Sequence, residues 1–140
     1  MATPFHTTVA LDGMTFPEFQ FTFLISGSGL TAAGVEGKAV SQDTAAANTV
    51  KLAADGDQIV GRVVKFEARV NEGINVVTVA TRFINKLPIK SGETVAVGDT
   101  VIGAGSGEVK TYKESTVSAP RRWDNYVVAI ETGYATVARV

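Results

Sequence analysis

The 140-residue chain carries 13 basic and 14 acidic residues, one histidine and a formal net charge of -1, a balance that excludes binding to nucleic acid or acidic membranes through bulk charge. It has no cysteine, which excludes disulfides, thiolate nucleophiles and cysteine-based zinc sites. Hydrophobic residues at 45% exclude wholesale disorder, and a chain of this length buries roughly 70% of the surface its unfolded form exposes, so a domain needing no staple is expected.

Fourteen glycines with abundant Ala, Thr and Val favour strands and turns over long helices. The opening "MATPFHTTVALDG" lacks the basic and apolar regions of a secretory signal, and no apolar stretch approaches the roughly 20 residues that span a bilayer. A soluble protein made in the cytosol is therefore expected. Residues 1–15, with Pro4, an Asp-Gly pair and no sustained period, read as an extended N-terminal arm whose apolar members need a partner, ahead of a single β domain over 16–140.

"FPEFQFTFLI", 16–25, alternates Phe16, Glu18, Gln20 and Thr22 against Phe19, Phe21, Phe23 and Ile25, the period-2 pattern of a half-buried strand with an aromatic face. "SGSGLTAAG" reads as a flexible linker, and further strands are predicted near 37–42, 49–53 and 59–69. "DTAAAN", 43–48, reads as one helical turn. The clearest strand is 75–83. Pro88 belongs at a strand edge or end because it cannot donate to a ladder. "YVVAIETGYATVARV", 126–140, reads as two strands around Thr132-Gly133. About nine short strands separated by turn signals predict an all-β fold, a compact sandwich or barrel. The echo between "AADGDQIVG" and "AVGDTVIG" reads as Gly-Asp turns recurring in a β protein rather than as a repeated supersecondary unit.

Several short stretches invite a chemical reading. "IGAGSGEVKT", 102–111, ends in Lys-Thr, but a P-loop needs lysine directly after its last glycine, and here Glu108 and Val109 intervene. The glycines run GxGxG rather than GxGxxG, with no helix expected after them to receive a pyrophosphate. The stretch is expected to connect two strands, with Lys110 a solubilising surface charge at the start of the second. His6 has no positioned carboxylate or nucleophile to make it a general base, and no serine lies in a GxSxG elbow. Asp55 and Asp57 lack the remaining ligands of an EF-hand. They read as a hairpin turn in which Gly56 takes a positive φ and the aspartates accept from backbone amides. No cofactor is expected. "APRRWDNY", 119–126, joins Arg121 and Arg122 to the sole tryptophan, Trp123, residue types enriched at interface anchors; Trp123 plugging the core is the equal alternative.

From residue 37 onward the chain resembles the small β-rich capsid decoration, or cement, proteins of tailed bacteriophages. The resemblance lies in the succession "GKAVSQDTAAANTVKLAADGDQIVGRVV", "NVVTVATRFINKLPI", "VGDTVIGAGSGEVKT" and "YVVAIETGYATVARV". It implies a compact, non-catalytic β domain that binds the major capsid protein on the outer surface of the head, as a trimer or, alternatively, a dimer at local symmetry axes. It also implies a virion location and no nucleic-acid or membrane partner. "FPEFQFTF" and "PRRWDN" depart from the family pattern. Partner contacts are therefore expected from Phe5, His6, Val9 and Leu11 on the arm, which would order on the shell or a neighbouring subunit by adding a strand to an exposed edge, and from Arg121, Arg122 and Trp123. Two other classes are weighed. "SGETVAVGDTVIG" is similar to lipoyl and biotinyl carrier domains, but Lys110 lies between Val109 and Thr111 rather than in the carrier setting. A glycan hydrolase would need two positioned carboxylates that no spacing suggests, and a β-barrel binding or carrier-like module without catalytic activity, lipoyl/biotinyl-like or glycan-binding, is the alternative reading.

Overall fold

In the computed structural model, which describes residues 14–15, 17–113 and 124–139, the chain is all-β. Among the described residues there are eleven strands rather than nine. Five close a barrel in the order β2 (Gln20–Ile25), β4 (Thr49–Leu52), β3 (Ala39–Gln42), β5 (Gly61–Arg69), β6 (Ile74–Ala80). Four form a second sheet in the order β1 (Met14–Thr15), β7 (Phe83–Pro88), β11 (Tyr134–Arg139), β10 (Tyr126–Glu131). β8 (Val101–Gly105) and β9 (Glu108–Thr111) make a hairpin.

The barrel closes through a parallel contact, Leu24 and Ile25 of β2 against Thr49 and Val50 of β4, while its other pairings are antiparallel. Alternation along the strands feeds two cores. Val40 and Val79 point into the barrel with Val35, Val50, Val63 and Phe66. Their chain neighbours Ala39 and Ala80 point outward into a second core with Phe83, Leu87, Val101, Val127 and Val137. Small residues at 39 and 80 let the barrel wall approach the second sheet closely. Both cores are almost wholly apolar, so burial of branched aliphatic side chains supplies the main driving force.

Several local expectations are corrected. The strand predicted over 16–25 starts only at Gln20, because Pro17–Phe19 form a 3-10 turn, for which proline's fixed φ and missing donor are suited. The helical turn falls not in 43–48 but in the predicted linker, as α1 (Ala32–Val35). The Thr31 side chain caps it by accepting from the Gly34 N–H at 3.1 Å, and Val35 is wholly buried. Residues 43–48 instead form turns, with the Asp43 carboxylate accepting from the Ala45 N–H and Asn48 at φ 54°; Ala45–Ala47 stay exposed and offer a helix no face to bury. The strand predicted over 75–83 breaks after Ala80, where both the N–H and the hydroxyl of Thr81 donate to the Phe19 carbonyl. Phe83 thus enters the second sheet. Pro88 ends β7, as its missing donor requires.

Candidate interaction surfaces

The glycine-rich stretch is a hairpin. Gly105 pairs with Glu108, so Ser106 and Gly107 form a two-residue loop, and their φ values of 52° and 77° are those of a type I′ turn. No helix follows. Lys110 lies inside β9 and not at the hairpin tip, and its Nζ sits 2.6 Å from Asp55 Oδ1. The expectation of a free surface charge at the strand start is therefore corrected: Lys110 fastens the loop of residues 54–57, and its ammonium holds the Asp55 carboxyl below the usual carboxylate range.

That loop is not the hairpin turn expected from "ADGDQ", since β4 and β5 flank β3 on opposite sides rather than pairing with each other. It is a type II turn, with the Asp57 N–H donating to the Ala54 carbonyl at 3.0 Å and Gly56 at φ 84°. Asp57 Oδ2 accepts from the Ala54 N–H and the Ser41 hydroxyl and lies 3.4 Å from Lys51 Nζ. Residues 96–99 repeat this arrangement. The Asp99 N–H donates to the Ala96 carbonyl, Gly98 has φ 91°, and Asp99 Oδ2 accepts from the Ala96 N–H and the Thr111 hydroxyl. Each turn docks on a strand by two backbone bonds: Gly56 and Asp57 on Gly103 of β8, Gly98 and Asp99 on Val127 of β10. The repeat is thus of a turn and its docking. The hydroxyl partner precedes one aspartate in sequence and follows the other, which is not the order of a duplicated unit.

Burial raises the pKa of Asp57, but the hydrogen bonds from Ser41 and Ala54 and the charge of Lys51 outweigh it, leaving the net shift downward. A depressed folded-state value contributes stability above about pH 4, the unfolded value, and that contribution is lost as pH falls through the folded value. Asp57→Asn keeps an acceptor for Ser41 and Ala54 without the titration. The loss of stability between about pH 5 and about pH 2.5 is expected to be smaller in this variant, by about 1 kcal/mol or less because the carboxylate is partly open to solvent, as measured by urea unfolding at both values.

Phe5, His6, Val9 and Leu11, and likewise Arg121, Arg122 and Trp123, lie outside the described residues. What is described is where their segments attach. Met14 pairs with Ile84, Ile84 with Ala138 and Ala138 with Tyr126, a single cross-strand row through β1, β7, β11 and β10. The arm leads into one edge of this sheet, and the Arg-Arg-Trp segment leads through Asp124 and Asn125 into the other. Three strand spacings, about 14 Å, separate the two attachment points. On the same sheet Tyr126 and Tyr134 are about half exposed, at 49% and 48%.

Sequence reasoning missed the residues that hold this sheet's surroundings in place. Asp124 accepts from Gln58 and lies 3.7 Å from Arg139, and Asn125 bonds the backbone of Val101. The doubled Ala-x-Gly-Asp spelling was a usable signal for the turns, whereas nothing local marks Asn125. Among the described residues no group of three or more His, Asp or Glu side chains converges as a metal site, and no helix is long and apolar enough to cross a membrane. No family model, no curated protein and no solved structure matches this chain.

Proposed function

We propose that this chain is a non-enzymatic capsid decoration protein of a tailed bacteriophage, which binds the outer surface of the head and stabilises the shell. Its partners in this reading are the major capsid protein and further copies of itself, as a trimer or dimer over junctions between capsomers. The succession of motifs from residue 37 onward supports the reading. The observation that carries it is the cross-strand row Met14–Ile84–Ala138–Tyr126, which tethers the arm and the Arg-Arg-Trp segment to opposite edges of one sheet. Two segments whose attachment points lie about 14 Å apart engage a surface together in this reading, and repetition over a shell multiplies weak contacts through avidity. The chemistry needed is apolar anchoring and arginine hydrogen bonding, with no reacting group.

Cryo-electron microscopy of the purified protein mixed with undecorated capsids tests this. Density on the shell and a raised temperature of capsid disruption are expected; a bare shell with unchanged disruption rejects the proposal. Removing residues 1–13, which spares the Met14–Thr15 pairing with β7, is expected to weaken capsid binding at least about tenfold while leaving the melting temperature nearly unchanged.

A further inference from the structure

A cleft of about 320 Å³ opens between α1 and the outer edge of β7, lined by Glu36, Gly37, Lys38, Arg62, Asn85 and Tyr134 among others. Arg62 is one of its lining residues. The guanidinium is anchored through one nitrogen, with Nε donating to the Lys86 carbonyl at 2.8 Å, and its two terminal nitrogens have no acceptor among the described residues. Burial alone pushes its pKa down, the signature of a cation that has lost water without gaining a counter-charge. Gly37, at φ 79°, faces it: a Cβ there would lie 3.4 Å from Nη2, so glycine keeps the approach open.

The other polar groups of the cleft divide unevenly. Most acceptors are already engaged: Glu36 Oε1 takes the Phe66 N–H, Asn85 Oδ1 takes the Lys86 N–H, and Glu131 beyond the rim pairs with Lys86 at 2.9 Å, which leaves Glu36 Oε2 as the open side-chain acceptor. Donors remain open, namely the Arg62 terminal nitrogens, the Asn85 amide and the Lys38 ammonium, none of which has a partner among the described residues. The strand edge itself is closed to a further strand, because the Lys86 carbonyl is held by Arg62, its N–H by Asn85, and Pro88 has no donor. A partner must therefore enter side chain first.

We propose that this cleft binds a carboxylate, gripped in the fork of the Arg62 guanidinium with Lys38 beside it and its carbon end against Tyr134 and Pro88. Arg62 and Lys38 against Glu36 leave one net positive charge, which suits a monoanion, and the planar guanidinium suits a planar two-oxygen acceptor; a phosphate dianion would face Glu36 uncompensated. The carboxylate comes either from an acidic side chain of another protein or from a small free acid. The inference is independent of the capsid reading.

The test is an NMR titration of the isotope-labelled full chain at constant ionic strength, following the Arg62 Nε–H signal in the parent and the Gly37 backbone amide signal in the parent and both variants. The probes are propionate, a capped Gly-Glu dipeptide, its Gly-Gln counterpart and orthophosphate. Saturable shifts are expected with propionate or the Glu dipeptide and none with Gln. Kd should rise at least about tenfold in Arg62→Met and about threefold in Lys38→Ala. Tighter binding of the dipeptide assigns the carboxylate to a protein partner, and equal or tighter binding of propionate assigns it to a free acid. If Arg62→Met does not fold, Lys38→Ala decides, since its ammonium supports no described contact. Orthophosphate binding as tightly as carboxylate, non-saturable shifts, or affinity unchanged in the variant overturns the proposal.

Discussion

Gly103→Ala is expected to destabilise the fold by about 3 kcal/mol or more and to lower the melting temperature by about 10 °C, among the largest effects of a single added methyl group in this chain. Gly103 is where β8 meets the 54–57 turn. Its N–H donates to the Asp57 carbonyl at 2.8 Å and its carbonyl accepts from Gly56 at 2.9 Å. A Cβ at this position would overlap the Ala54 carbonyl oxygen and lie 3.0 Å from Ala53 Cβ and 3.3 Å from the Asp57 carbonyl oxygen. Two of these neighbours are backbone and cannot rotate away, so relief must separate strand and turn, costing both hydrogen bonds and opening the core at Ala53 and Val101. Gly105, two residues on, is the internal control: its φ of 112° carries strain for an alanine, but a Cβ there meets nothing within 4 Å. Gly105→Ala should cost about 1–2 kcal/mol, so thermal melts of the two variants separate close approach from backbone strain. Equal losses would mean that the turn does not press on β8 as described.

Both glycines stand in "IGAGSGEVKT", where the sequence excludes a phosphate loop by spacing and charge and predicts a strand connection. That reading was possible because turn chemistry is local: Ser106 and Gly107 need positive φ, and the alternating residues around them specify strands. The distinct role of Gly103 was not legible, because the Ala54 carbonyl it accommodates comes from 49 residues earlier in the chain. The same limit explains the break at Thr81. Residues 75–83 alternate without interruption; the Thr81 N–H bond to the Phe19 carbonyl keeps the β2–β6 register, and it is the pairing of Phe83 with Thr15 and Arg139, both distant in sequence, that takes the chain on into the second sheet. It also explains α1, since a four-residue helix has too little period to detect and exists because Val35 finds a place in the barrel. Arg62 was passed over for a related reason: one arginine in a strand of alternating residues carries no signal until α1 and the β7 edge are folded around it. Pairing by long-range backbone contact leaves no trace in composition or period, whereas strand existence and turn type do.

Asn125→Ala is expected to cost about 3 kcal/mol, although the side chain is uncharged and belongs to neither apolar core. Its carboxamide works as a piece of strand. Oδ1 accepts from the Val101 N–H at 2.9 Å and Nδ2 donates to the Val101 carbonyl at 3.2 Å, so the first residue of β8 has its outward backbone groups satisfied by a side chain. Nδ2 also donates to Asp124 Oδ1 at 2.8 Å, and the Asn125 carbonyl accepts from the Thr100 hydroxyl. Val101 and Asn125 are both buried, which leaves water little access to replace these bonds. Alanine strands one donor and one acceptor, each costing about 1–3 kcal/mol. Asn125→Asp discriminates between loss of packing and loss of pairing. It preserves shape and the acceptor for the Val101 N–H, but near neutral pH it sets a carboxylate oxygen against the Val101 carbonyl and the Asp124 carboxylate. Burial and these neighbours should raise the pKa of the new carboxyl in the folded state, so the folded form binds a proton that the unfolded form has released. Stability then rises as pH falls from about 7 toward about 5, in the direction opposite to the acid loss expected from Asp57. Urea midpoints of Asn125→Asp that run parallel to the parent's over that interval, with no rise, would show that the carboxamide does not pair with Val101.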